Sequence, residues 1–177
     1  HLVAKITRQI VDGIDYLHRE GVTHRDVKPA NILVDPNGII KITDFGVSSA
    51  LDVPTMTGNT LVGTPWYIAP EMIEGRPYGE SVDIWSLGCT VLELATGRRP
   101  YHELRAHEAL FRIAKDRQPP PIPKEVSSQL RDFLLTCWVW DPEKRPLTPN
   151  LKRHPFLASI GREVPAGSAS KNKEREA

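Results

Sequence analysis

The chain has 177 residues, enough for one domain with a sizeable core, and its 40% hydrophobic and 25% charged residues sit close to the average of soluble globular proteins. Lys+Arg 23 against Asp+Glu 22 leave a formal net charge of +1, without the basic excess of a dedicated nucleic-acid binder. Cys89 and Cys137 have no C-x-x-C or Cys/His ligand spacing, which argues against a zinc site or a disulfide framework and fits a reducing compartment. No signal peptide is read, and the longest apolar segment, Val82 to Ala95, carries Asp83 and Glu93 and is too short to span a bilayer. A cytoplasmic location is expected, with neither nucleic acid nor membrane as a partner.

In chain order, Val3, Ile6, Ile10, Ile14 and Leu17 recur at spacings of three and four and predict one buried helical face. That helix runs to about Leu17-His18, with Gly21 as its terminator. The stretch His24 to Asn31 then puts an acid, a base and an amide on one short loop. Asp26 can take a proton, Lys28 can neutralise phosphate charge, and Asn31 offers a neutral oxygen to a cation. Ile32-Leu33-Val34 reads as a short buried strand, and Ile39-Ile40-Lys41-Ile42 as a second apolar run. Asp35-Pro36-Asn37-Gly38 between them is a hairpin signature. The hairpin predicts that Asp44-Phe45-Gly46 comes back to the His24–Asn31 loop. Asn31 and Asp44 would then supply oxygens to Mg²⁺, a hard cation held by few protein ligands plus substrate phosphates.

The stretch from Val47 to Thr60 is polar, hydroxyl-rich and broken by Pro54 and Gly58, which predicts a mobile loop. Ser81 to Gly97 reads as a helix capped by Ser81 and ended by Gly97, apolar nearly all round and therefore buried. Asp83 near its start is an expensive acid unless hydrogen-bonded. Trp85 and Trp138 are expected in the core. His102 to Lys115 forms a further helical candidate with Leu104, Leu110, Phe111 and Ile113 apolar. Pro119, Pro120, Pro121 and Pro123 follow, as a rigid connector or a polyproline ligand. Ser127 to Trp140 predicts an amphipathic helix and Leu147 to His154 a weaker one, with Thr148-Pro149 an unusual start. Residues 158–177 turn to Gly, Ser, Ala and charges and read as a flexible tail.

The run His24 to Asn31 matches H-R-D-x-K-x-x-N, Asp44 to Gly46 matches D-F-G, and Ala69-Pro70-Glu71 matches A-P-E. In this order and at these separations they resemble the C-terminal, larger lobe of eukaryotic protein kinases. The resemblance covers about residues 2 to 157 and implies a mainly α fold with a small β-hairpin. It assigns residues 1–157 to a partial kinase domain whose N-terminal lobe, with its Gly-rich loop and strand lysine, is absent. The chain, which starts at His1, is therefore expected to be a fragment, inactive on its own. The resemblance, and not the spacing, implies the roles that follow. Asp26 orients the substrate hydroxyl and accepts its proton, and Lys28 stabilises charge on the transferred phosphoryl. Asn31 and Asp44 hold Mg²⁺ against the ATP phosphates, and Leu33 forms the floor under the adenine; ATP and Mg²⁺ are the implied cofactors. Asp44 to Glu71 is the activation segment, and Gly63, Thr64, Pro65 and Trp66 receive the substrate, with Thr64 bonded to Asp26 and Lys28. His24, Phe45 and Gly46 are structural, Glu71 pairs with Arg145, and Asp83 bonds the backbone of the catalytic loop.

Lys28 and Thr64 resemble serine/threonine rather than tyrosine kinases. Gly88 to Gly97 and Gly63 to Tyr67 resemble the MAP-kinase-kinase-kinase and sterile-20-like groups, so the implied partners are a protein substrate, itself a kinase, and an upstream activating kinase. Thr60 lies where sterile-20-like kinases carry an activating phosphothreonine, and Arg25 would be its partner; Thr55, Thr57, Ser48 and Ser49 compete as acceptors. The alternative is a non-catalytic kinase lobe that binds or scaffolds partners.

Overall fold

The computed structural model describes residues 1–44, 49–50 and 63–158. Phe45, Gly46, Ser48, Thr55, Thr57, Thr60 and the tail from residue 159 lie outside the described residues, as does the side chain of Ser49.

Helix α1 spans Leu2–Arg19, and Gly21 follows it with φ +71°, a left-handed conformation that glycine adopts without strain. Its buried positions are Ala4, Thr7, Ile10, Val11, Ile14, Asp15 and His18. This face is rotated from the expected stripe, so that Val3, Ile6 and Leu17 are only half-buried. The rotation follows from the surroundings, since α1 packs against helices on one side and the hairpin on another.

Strand β1, Val22–Thr23, pairs antiparallel with β4, Ser49–Ala50. Two-residue strands leave no periodicity to read, and composition alone places Ser49 and Ala50 in a loop. The expected hairpin is present: β2, Ile32–Val34, pairs antiparallel with β3, Ile40–Ile42, in the register Ile32↔Ile42, Leu33↔Lys41 and Val34↔Ile40. The Asp35 carboxylate locks its turn by accepting the backbone N–H groups of Asn37 (2.8 Å) and Ile39 (2.9 Å). β2 is not the buried strand its composition predicts, because Leu33 is 53% and Val34 62% exposed. Ile32, Ile40 and Ile42 pack against the core while the other side chains face outward, a one-sided burial that three apolar residues in a row do not disclose.

Helix α3, Ser81–Thr96, is buried at every position from Ser81 to Leu92. It packs against α1 and against α5, Ser128–Cys137, and carries Trp85, Ile84 and Leu87 into the core. Each such side chain contributes about 1.5–3 kcal/mol on burial. Ser81 does not cap this helix: it is the first helical residue, and its carbonyl is taken by Arg145. Gly97 does end it, at φ +71°. A Cβ on Gly88 would lie 2.6 Å from Trp138 Nε1, so only glycine lets α3 and α5 approach this closely. Trp138 Nε1 donates to the Trp85 carbonyl at 3.3 Å, and both rings are in the core as expected.

Helix α2 is the single turn Pro70–Ile73. α4 spans Ala106–Asp116 and does not begin at His102, because Glu108 reaches back to the Arg105 N–H (2.8 Å) and closes the helix there. Phe111 faces outward, 64% exposed, against the amphipathic expectation. The proline stretch behaves as a connector: Pro120 is buried, and Arg131 donates to the Pro123 carbonyl at 2.9 Å. α5 is capped by Ser127, which accepts the Leu130 N–H at 3.3 Å, and it stops at Cys137 rather than Trp140. The run 147–154 breaks up, with α6 at Thr148–Leu151 and α7 at Pro155–Ala158. Thr148-Pro149 does open α6, since proline in a first turn forgoes an N–H that has no helical partner there.

Candidate active site

Asp83, fully buried in the first turn of α3, is the foundation of the site. Its Oδ2 accepts the His24 N–H at 2.9 Å, its Oδ1 the Arg25 N–H at 2.8 Å, and His18 Nε2 bonds Oδ2 at 2.8 Å. The expected bond from Asp83 to the loop backbone is therefore present twice over. Thr90, two turns along, donates to the Val27 carbonyl at 3.2 Å. Arg25 sits at φ +69°, a left-handed conformation costly for a residue with a side chain, which the two bonds from Asp83 hold in place. Its guanidinium lies over the Tyr78 ring, 5.5 Å from the centroid. His24 Nδ1 accepts the Asp26 N–H (3.2 Å), which puts its ring proton on Nε2, and that atom donates to the Thr43 carbonyl (3.0 Å). One imidazole thus ties the loop carrying Asp26 to the strand end carrying Asp44.

On this base the Asp26 carboxylate is surrounded by donors. Thr64 donates to Oδ1 from its backbone N–H (3.0 Å) and its hydroxyl (2.7 Å). Lys28 Nζ donates to Oδ2 at 2.6 Å and to the Thr64 hydroxyl at 2.8 Å, and Asn31 Nδ2 donates to Oδ2 at 3.2 Å and to the Asp26 carbonyl at 2.8 Å. Burial pushes the Asp26 carboxyl up, but the bonds from Lys28 and Thr64 outweigh it and hold the group below the usual carboxylate range. Four contacts use the roughly four lone-pair directions of a carboxylate. A further hydroxyl reaches Asp26 by taking the place of one of these donors. Gly63 makes the approach of Thr64 possible: at φ +108°, a Cβ there would stand 3.0 Å from the Arg25 carbonyl.

Asn31 lies in the short 3-10 turn Pro29–Asn31, and the Thr43 N–H donates to its carbonyl at 2.9 Å. The side-chain nitrogen is spent on Asp26, so the carbonyl oxygen of the amide has no donor among the described residues. Asp44 follows at φ +65°, exposed. Among the described residues there is no cluster of three or more His, Cys, Asp or Glu that could hold a metal alone. A neutral amide oxygen and one exposed carboxylate fit a hard cation that keeps water and phosphate oxygens in its shell, which is the habit of Mg²⁺.

Glu71 and Arg145 form the expected buried pair, each side chain 0% exposed, through Nη1–Oε1 at 2.7 Å and Nη2–Oε2 at 3.1 Å. Arg145 also donates to the carbonyls of Val139 (2.9 Å), Ser81 (2.8 Å) and Trp140 (3.3 Å), so all five of its N–H donors are used. The pair fastens the end of the segment carrying Thr64 to the start of α3. Pro65 and Trp66 lie in the 3-10 turn Pro65–Tyr67 just after Thr64. The Trp66 indole N–H donates to the Leu104 carbonyl at 3.2 Å, and the Tyr67 hydroxyl donates to Glu93.

Residues 1–157 match the protein kinase domain family. The chain belongs to that family. It is 45% identical over 176 residues to mitogen-activated protein kinase kinase kinase 1 of Arabidopsis thaliana, covering 96% of this chain and 28% of that protein. It is 44% identical over 161 residues to MAP3K epsilon protein kinase 1 of the same plant, covering 91% and 12%. It is also 43% identical over 161 residues to serine/threonine-protein kinase BCK1/SLK1/SSP31 of Saccharomyces cerevisiae, covering 88% and 11%. This kinase chain thus spans between about a tenth and three tenths of the length of these relatives. Among its described residues no helix is long and apolar enough to cross a membrane.

Every site residue expected from the motifs and described in this kinase domain falls in one of three groups. His24, Arg25, Asp83 and the Glu71–Arg145 pair form the base; Asp26, Lys28, Asn31, Gly63 and Thr64, with Pro65 and Trp66 in the adjoining turn, form the cluster above it; Leu33 and Asp44 lie exposed at its edge. Sequence reasoning missed His18 and Thr90. His18 sits four residues after Ile14 on the buried stripe of α1, so a polar residue on an apolar face was the available signal. Thr90 lies seven residues after Asp83, two turns along the same helix face.

Proposed function

We propose that this chain is the larger lobe of a protein serine/threonine kinase, which moves the terminal phosphoryl of ATP to serine and threonine hydroxyls of protein substrates. The observation that carries this reading is the bridge from Thr64 to both Asp26 and Lys28. It joins a carboxylate, an ammonium and the segment expected to receive a substrate into one hydrogen-bonded unit. Asp26 orients an incoming hydroxyl that displaces one of its present donors, and accepts the proton as the oxygen attacks. Lys28, within 2.6 Å of that carboxylate, carries positive charge to the same point and stabilises the transferred phosphoryl. Asn31 and Asp44 would hold Mg²⁺, which when bound neutralises charge on the ATP phosphates. The exposed apolar surface of Leu33 suits the adenine. Catalysis on this reading is positioning and electrostatics, with little covalent work by the protein.

The names of the relatives support a substrate that is itself a kinase, within a MAP kinase cascade. The buried free thiols Cys89 and Cys137 suit a reducing setting. For regulation we infer that Thr60 is phosphorylated by an upstream kinase and that the phosphate is held by Arg25. Thr60→Ala and Arg25→Ala should each lose activation, with the double variant little worse than either. Normal activation of Thr60→Ala would move the switch to another hydroxyl of the segment.

The Gly-rich loop and strand lysine of the family are not among these 177 residues, so activity is tested in the full-length protein. There, radiolabelled ATP should mark serine and threonine of a protein acceptor, and Asp26→Asn should abolish the labelling. A second reading, a non-catalytic lobe that holds partners, draws on the exposed apolar surface of Leu33, Val34 and Ile39. The two readings separate on nucleotide: the full-length protein should bind Mg-ATP and turn it over, and the isolated residues 1–177 should bind it weakly. Failure of the full-length protein to bind Mg-ATP would favour the second reading.

A further inference from the structure

Beyond Gly97 the chain runs back along the Pro65–Tyr67 turn and delivers two consecutive arginines, Arg98 and Arg99. The Arg99 guanidinium lies over the Trp66 ring, 3.9 Å from its centroid. With Trp66 Nε1 donating to Leu104, the indole is clamped between Arg99 and the following loop. Stacking fixes the plane of a guanidinium and leaves the donors on its edge to bind an anion. Among the described residues neither arginine side chain has a carboxylate partner, and Arg99 Nε is buried with no hydrogen-bond acceptor. The nearby acid Glu93 is engaged by the Tyr67 hydroxyl.

A cavity of about 570 Å³ opens at this point, walled by Arg98, Arg99, Tyr101, His102, Pro121 and Ile122 among others. The other basic side chains on its wall have acids beside them: Arg112 meets Asp116 at 2.5 Å, and His102 meets Glu103 at 3.7 Å. Arg98 and Arg99 are the exceptions. A partly desolvated cation without a counter-ion is costly, and a bound carboxylate removes that cost.

Thr64 connects this feature to the cluster, since it bonds Asp26 and stands two residues before Trp66. Two residues of chain span at most roughly 7 Å, so a peptide whose hydroxyl reaches Asp26 brings its near neighbours to the Arg99 end of the turn. We propose that Arg99, with Arg98 beside it, is a specificity-determining residue that binds an acidic side chain of the protein substrate within a few residues of the phosphoacceptor. This rests on the phosphoryl-transfer reading above for its orientation, and not for the binding itself.

The test uses the full-length protein and peptides with one serine in a neutral background. Glu, Ala or Lys is placed in turn at each of the four positions on either side. Two quantities are read: kcat/KM for phosphoryl transfer, and affinity by fluorescence anisotropy for the same peptides with the serine replaced by alanine. The wild type should favour Glu over Ala by roughly ten-fold at one or more positions, the size of one charge-assisted contact, with Lys the poorest. Arg99→Gln should bring that Glu-to-Ala ratio to about one, whatever it does to the overall rate, and Arg99→Glu should turn the preference toward Lys. Should the Arg99 variants fold poorly, Arg98→Gln is the second handle and should lower the ratio by a factor of about two or more. A wild-type ratio near one at every position, or a ratio that survives Arg99→Gln and Arg98→Gln, overturns the proposal. If no peptide is phosphorylated, the catalytic reading of Asp26 fails, and the anisotropy ratio still decides whether Arg99 binds acidic side chains.

Discussion

Two sets of charges meet at the loop from His24 to Asn31, and they differ in how much water they see. Asp83, Glu71 and Arg145 are fully buried, and their hydrogen-bonding groups are taken by backbone, by each other or, at Asp83, also by His18. The Lys28 and Asp26 side chains keep 22% and 10% of their surface open. Below the loop, dry ions fix backbone in place, and removing one leaves its partner stranded in a low-dielectric interior. Above it, partly solvated ions bond to partners that another ligand can replace. On the proposed function, the difference teaches that charge in this domain is divided by burial into a set that positions and a set that would react.

The largest effect should come from the reactive set and leave the fold alone. Asp26→Asn in the full-length protein is expected to abolish measurable phosphoryl transfer, a loss of roughly 10²–10⁴-fold or more, the range for a proton acceptor, while the protein stays folded. In the buried set the pattern reverses. Arg145→Ala should cost about 3–5 kcal/mol in a denaturant titration, because Glu71 is left buried and unpaired. Replacing Glu71 and Arg145 together by apolar residues should cost less than the two single changes combined; additive losses would mean that the two charges do not act as a pair.

Asp83→Asn probes the join between the sets. It leaves at least one of the His24 and Arg25 N–H groups poorly matched and should cost about 1–3 kcal/mol. Faster hydrogen exchange at those two amides is the readout, and unchanged protection there would remove Asp83 from its role.

The smallest effect is a pH dependence at the far end of α1. The Asp15 carboxyl is held below its usual 3.8, first by the hydrogen bond from Lys152 (2.7 Å) and, against the opposing effect of burial, by that from Thr148 (2.8 Å). A lowered folded value means that Asp15 contributes stability above pH 3.8, and that the contribution is lost as pH falls through the lowered value. Lys152, raised above 10.5 by its bonds to Asp15 and Asp12 despite burial, keeps its contribution below that pH and loses it as pH rises through the raised value. The stability gap between wild type and Asp15→Asn should therefore be flat near neutrality and close on acidification. A gap independent of pH on the acid side would remove the Asp15 carboxylate from the stability of this corner.

The hairpin was legible in advance because Asp35-Pro36-Asn37-Gly38 carries its own turn chemistry, and the Asp26–Lys28–Thr64 cluster only through the resemblance of the motifs to a known family, since nothing in their spacing brings Thr64 to Asp26. The exposure of Leu33 and Val34 was not, since burial of a short apolar run depends on what packs against it and not on the run itself. β1 and β4 escaped because a two-residue strand has no period. The start of α4 differs from its sequence pattern because the closing bond from Glu108 to Arg105 overrides the apolar residues upstream. Arg99 gave no sign at all: its meaning depends on a tryptophan more than thirty residues earlier in the chain.

The division of charges is tested most directly by measuring thermal unfolding and phosphoryl transfer on the same preparations of full-length wild type, Asp26→Asn and Arg145→Ala. The account predicts that Asp26→Asn stays folded, melts well above Arg145→Ala and transfers no measurable phosphoryl, while Arg145→Ala melts well below the wild type and, at a temperature where it is folded, still labels the acceptor. Turnover near the wild-type rate by Asp26→Asn, or a melting temperature of Arg145→Ala equal to that of the wild type, would contradict it.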